Sequence, residues 1–148
     1  MILDSSIEID ATPAAVWAVF TDVERWPEWT ASVTSVHGLD GADLAVGRRF
    51  AIKQPRLPKV TWKVTSIDPG RSWTWRQHTA GATTLATHEV VAIDGGRTLV
   101  RQRLDQQGVL GALVGRMMRR TSCRYLELEA QGLKARSEAT ARRDAASA

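Results

Sequence analysis

The order of hydrophobic and polar positions divides the chain into three regimes. Residues 2–10 (Ile-Leu-Asp-Ser-Ser-Ile-Glu-Ile-Asp) alternate around Ile7 and Ile9, the two-residue period of a strand. Thr12-Pro13 then predicts a helix start, because threonine caps well and proline is tolerated in the first turn. Val16, Trp17, Val19 and Phe20 give that helix an apolar side up to about Asp22. Trp26-Pro27-Glu28-Trp29 follows; the proline opens a second short helix, and the two read as a bent pair.

From Ser32 the pattern is β throughout, with strands expected at 32–37, 49–54, 59–67, 72–78, 83–93 and 98–106. Asp68-Pro69-Gly70, Gly81 and Asp94-Gly95-Gly96 punctuate them as turns, so the strands form an antiparallel meander. After Gly108 the period becomes helical. Leu110, Leu113, Val114, Met117, Thr121, Tyr125 and Leu128 recur in steps of three and four, one face of a long helix, and Arg116, Arg119, Arg120 and Arg124 occupy the other. Ser137–Ala148 lacks apolar periodicity, which predicts one domain over 1–136 and a frayed or disordered tail over 137–148.

Composition narrows the class. At 148 residues, 43% hydrophobic and 24% charged, the chain suits one globular α+β domain able to bury a core. No apolar run approaches the roughly 18 residues that cross a bilayer, so no transmembrane segment is expected. The first residues lack the pattern of a signal peptide, and a cytoplasmic protein is expected. The single cysteine, Cys123, excludes a disulfide framework and a multi-cysteine zinc site. Residues 1–108 carry 12 basic and 12 acidic side chains, whereas 109–148 carry 8 and 4, so the net charge of +4 belongs to the C-terminal segment. Its arginines read as a solvated face, or as a surface for an acidic partner or an anionic lipid layer. Aromatic residues do not interleave with them, so nucleic acid is not expected.

The element order is strand, two short helices, six strands and one long helix. With Ala11-Thr12-Pro13-Ala14-Ala15-Val16-Trp17 leading into Trp26-Pro27-Glu28-Trp29, it resembles the START-like (Bet v 1-like, SRPBCC) superfamily. Within that superfamily the chain is similar to the bacterial polyketide cyclase/dehydrase and lipid transport group. Asp68-Pro69-Gly70-Arg71-Ser72-Trp73-Thr74-Trp75, Thr87-His88-Glu89-Val90 and Gly95-Gly96-Arg97-Thr98 carry the same likeness. The resemblance spans about residues 2–136. It implies a helix-grip fold, a curved antiparallel sheet of about seven strands around the long helix, with an internal pocket between them. One fold of this kind hosts many activities.

Strand parity nominates the pocket wall. Val60, Trp62 and Val64 share one face of their strand, and Trp73, Trp75 and Gln77 share one of the next. In 83–93 the set His88, Val90, Ala92 opposes Leu85, Thr87, Glu89, Val91, Ile93, and the family resemblance places His88 inward. Val100, Gln102 and Leu104 are chosen on the last strand, because Arg101 and Arg103 suit solvent; the helix contributes Leu113, Met117, Thr121 and Tyr125. His88 is the leading acid, base or ligand partner, with a partly buried structural histidine as its plain alternative. Tyr125, the only tyrosine, has a phenol that can donate to a ligand carbonyl, or else simply packs. Trp62, Trp73 and Trp75 form a wall for a flat ligand, or core. Three scattered histidines and no HExxH, CxxC, GxSxG or phosphate-loop motif point to no metal and no cofactor.

Three readings follow. The first is binding or carrying of a hydrophobic or aromatic small molecule of polyketide, lipid or isoprenoid type. The second is cyclisation or dehydration in the same pocket, using His88 and Tyr125. The third is an interaction module working through the helix arginines. A monomer or homodimer suits all three.

Overall fold

The computed structural model describes residues 1–148. Strand β1 (Ile2–Ile9) leads into helix α1 (Pro13–Thr21), whose N-terminus is capped as expected: Ala15 N–H donates to the Thr12 hydroxyl at 3.3 Å. A 3-10 helix over Val23–Glu28 follows. Strands β2 (Ser35–Gly38), β3 (Arg49–Lys53), β4 (Val60–Asp68), β5 (Ser72–Thr79), β6 (Ala82–Ile93) and β7 (Arg97–Gln107) precede helix α2 (Val109–Ser147). The strands form one antiparallel sheet in the order β1-β7-β6-β5-β4-β3-β2. The first strand therefore pairs with the last, and the two helices after β1 carry the chain across to the opposite edge. The curved sheet and the long helix make a helix-grip α+β fold.

Register decides which side chains meet. Trp73 lies opposite His88, and His88 opposite Gln102, so one row across β5, β6 and β7 carries three inward residues. Trp75 pairs with Val64 and Ala86 in the next row. Trp26 fills the space between sheet and helices, its indole N–H donating to the Phe20 carbonyl at 2.9 Å. Phe20, Trp26, Trp73 and Trp75 are all buried there.

α2 extends well past residue 136, which corrects the expected tail. The segment Ser-Glu-Ala-Thr-Ala-Arg-Arg-Asp-Ala-Ala-Ser is helical to Ser147, with Ser137 fully buried and Ala141 packed on the core. Alanine, arginine and glutamate are strong helix formers, and small residues let a helix seat closely without any apolar stripe. Glu138 fixes the seat by accepting from the Asp10 backbone N–H at 2.9 Å and from Lys134 at 2.6 Å. Upstream, Gly132 lets α2 touch the turn after the 3-10 helix: a Cβ there would lie 2.0 Å from the Trp29 carbonyl oxygen.

Candidate functional site

A cavity of about 420 Å³ lies between the concave face of the sheet and α2. Its aromatic wall is Trp26, Trp62 and Trp75, with Val33, Ile52 and Val60 beside them. Leu57 and Pro58 from the β3–β4 connection, and Val114, Met118 and Leu126 from α2, add to the apolar lining. Polar side chains are interspersed along the wall, and three of them meet at one place: His88 from β6, Gln102 from β7 and Glu129 from α2.

These three are all buried. The Gln102 amide donates to Glu129 Oε1 at 2.5 Å, and His88 Nε2 stands 3.9 Å from the same oxygen. The His88 ring stacks on Trp73, with centroids 3.8 Å apart and planes inclined by 12°. Gln102 Oε1 is buried without a hydrogen-bond partner, as is Gln106 Oε1 farther along the wall. Buried polar atoms are rarely left in this state, because each forfeits its bonds to water. A molecule in the cavity can supply what they lack.

Burial sets the charge of the pair. It pushes the Glu129 carboxyl up to about 8, against a smaller opposing effect of the Gln102 hydrogen bond. The same desolvation pushes His88 down to about 3. At pH 7 Glu129 is a carboxylic acid and His88 a neutral imidazole, so the site holds a proton donor and a proton acceptor without net charge. Chemistry of this kind needs two groups whose environments drive their pKa values apart.

Tyr125 also reaches the cavity wall, but its hydroxyl donates to the Pro55 carbonyl in the β3–β4 connection. The phenol proton is thereby occupied, and the bond ties α2 to the segment covering the cavity. Tyr125→Phe should leave that carbonyl unpaired and lower stability by about 1 kcal/mol in urea unfolding. An unchanged midpoint would mean that water replaces the phenol.

The nominated residues divide three ways. Trp62, Trp75, Gln77, His88, Gln102 and Tyr125 come together on the cavity wall. Val64, Trp73, Val90 and Val100 point to the same side of the sheet but are packed in the core outside the lining. Leu113, Met117 and Thr121 are corrected: Leu113 and Met117 face solvent, and Val114, Met118 and Ser122 take the inward places. The helix is turned by one residue from the apolar stripe because Gly111 and Gly115 form its buried side. They bring its backbone against β7, where a Cβ on Gly115 would meet the Gln106 amide. Of the other histidines, His37 is exposed and His78 bonds the Thr83 hydroxyl at the surface.

Glu129 and Trp26 join the wall beyond the residues that strand parity and the helix stripe nominate. The stripe through Thr121 and Tyr125 continues equally well to Leu128 or Glu129, and hydropathy favours the leucine. The available signal was a carboxylate four residues beyond Tyr125, facing polar positions on two adjacent strands. Trp26 lies inside the 3-10 helix and at the centre of the aromatic cluster. No three His, Cys, Asp or Glu side chains converge as a metal site would require. No helix is long and apolar enough to cross a membrane.

A curved sheet gripping a helix around a cavity defines a START-superfamily domain. Residues 2–138 match the polyketide cyclase/dehydrase and lipid transport family, and the chain belongs to it. Solved structures share the fold at low identity. A hypothetical protein of Helicobacter pylori, jhp0584, is 16% identical with a TM-score of 0.80, over 93% of this chain and 88% of that one. The ZhuI aromatase/cyclase of Streptomyces sp. R1128 is 15% identical with a TM-score of 0.76, over 93% of each chain. A START superfamily protein of Mycobacterium smegmatis is 16% identical with a TM-score of 0.69, over 91% of this chain and 97% of that one. No curated protein matches the sequence.

Proposed function

We propose that this protein binds a flat, largely apolar small molecule carrying one hydroxyl or carbonyl group, of the polyketide or aromatic type. The observation that supports the reading best is the pair of unpartnered buried amide oxygens, Gln102 Oε1 and Gln106 Oε1, on the wall of a cavity that also carries three tryptophans and several aliphatic side chains. A ring system stacks on Trp26, Trp62 or Trp75, and its oxygen meets the Glu129–Gln102–His88 cluster. The cavity volume falls within the range of small-molecule sites.

2-Naphthol is a suitable first ligand, because tryptophan emission reports its arrival. Saturable quenching is expected, and Ser122→Phe, which projects a ring into the cavity from α2, should weaken it by about tenfold or more. Quenching that rises linearly without saturating, and is untouched by Ser122→Phe, would dismiss the reading.

A second reading, cyclisation by carbon–carbon bond formation, is favoured by the protonated Glu129 beside the neutral His88. The attacking carbon would enter as the enol of a 1,3-dicarbonyl, and His88 would take the enol O–H proton as that carbon attacks. Glu129 would give its proton to the ketone oxygen under attack, as the new carbon–carbon bond forms. Glu129→Gln keeps the hydrogen bonds and removes the acidic proton. A carrier should retain its affinity within about threefold, whereas an enzyme should lose about 10²–10⁴ in rate.

A further inference from the structure

Val109, Leu113 and Met117 are 95%, 66% and 77% exposed, although they open the helix that elsewhere packs the core. They lie at i, i+4 and i+8 on one outward row. Arg116, Arg120 and Arg124 follow three residues behind, in the adjacent row toward the C-terminus. All three arginines are exposed, and no aspartate or glutamate occurs between residues 109 and 126. The outward surface of α2 therefore begins with an apolar tip and continues as a basic belt, over about four turns.

We propose that this face docks on an anionic lipid bilayer, with Val109, Leu113 and Met117 entering the boundary between headgroups and acyl chains and Arg116, Arg120 and Arg124 pairing with lipid phosphates. The charge pattern selects this occupant. A helix with a basic polar face and an apolar face is drawn to anionic headgroups and held by its buried apolar area. A second copy of the chain, packed on the same face, would bring arginine against arginine with no carboxylate in the patch to separate them. Two of the same helical turns also present Val114 and Met118 to the cavity, so a docked helix would hold the cavity rim at the bilayer. The proposal does not depend on what the cavity holds.

Flotation of the full chain with vesicles tests it. Wild type should float with vesicles containing about 30% phosphatidylglycerol at about 50 mM salt, stay in solution with pure phosphatidylcholine, and dissociate near about 300 mM salt. L113E/M117E and R116E/R120E should each lose about tenfold or more in vesicle affinity, while both keep the wild-type melting temperature and 2-naphthol quenching. Retention of that quenching separates failure of docking from failure of the cavity reading. Absence of flotation at low salt would overturn the proposal, as would L113E/M117E floating like wild type. Self-association without vesicles, abolished by L113E/M117E and accompanied by no flotation, would also overturn it and give the face to a second copy.

Discussion

Raising the pH from 6.5 to 8 should destabilise the protein by about 2 kcal/mol, and Glu129→Gln should abolish that loss. The carboxyl ionises near its ordinary 4.5 in the unfolded chain but near 8 when folded. Between those values the folded state holds a proton that the unfolded state has released, so stability falls as pH rises, by about 1.4 kcal/mol per unit. His88 has the opposite effect at lower pH. Folded, it titrates near 3 rather than 6.5, so between those values the unfolded state binds the extra proton and stability rises with pH. The two slopes oppose each other from 4.5 to 6.5, where their sum is nearly flat. Above 6.5 Glu129 acts alone. Urea midpoints at half-unit steps from pH 5 to pH 9 would resolve the curve. Coincident wild-type and Glu129→Gln curves above 6.5 would mean that the folded state hydrates the carboxylate, and the acid role at the site would go with it.

Gly132→Ala should cost about 2–4 kcal/mol, whereas Gly115→Ala should change stability by less than about 1 kcal/mol. Both glycines lie inside α2, where alanine is intrinsically the better helix former by about 1 kcal/mol. What separates them is the atom each new methyl would meet. At Gly132 it is the Trp29 backbone carbonyl, at 2.0 Å, which recedes only if α2 or the chain after the 3-10 helix moves. Trp29 packs against Trp26, with ring centroids 5.5 Å apart and planes inclined by 54°, so the displacement would reach the aromatic wall of the cavity. At Gly115 the neighbours are the ends of two side chains, Gln106 Oε1 at 2.4 Å and Met1 Cε at 2.9 Å, and both can swing aside. Thermal unfolding of the two variants decides the matter. Equal small effects would mean that α2 slides freely over Trp29, and equal large ones that the Gln106 amide is fixed in place.

The strands and turns were legible because each carries its own cue. The alternation of Val60, Trp62, Val64 and of Trp73, Trp75, Gln77 sets their inward faces without reference to the rest of the chain. The placement of His88 inward came from family resemblance, and the register of β5, β6 and β7 then aligned it with Trp73 and Gln102. The rotation of α2 was not legible. An apolar stripe marks the buried side only when burial follows hydropathy, and here two glycines face the sheet while Leu113 and Met117 face out. The C-terminal segment misled for a related reason, since Ser137 and Ala141 seat the helix through small size rather than through apolar area.

By itself the sequence determined the order of elements, the inner faces of β4 and β5, and the concentration of positive charge on the last helix. These depend on local period and composition, which neighbouring residues express together. Tertiary structure alone decided that Glu129 meets Gln102 and His88, because that meeting depends on how far α2 is turned and how closely it approaches β7. The acid–base character of the pair arises there as well. A carboxyl and an imidazole exchange their ordinary charge states only once packing has removed the water from both.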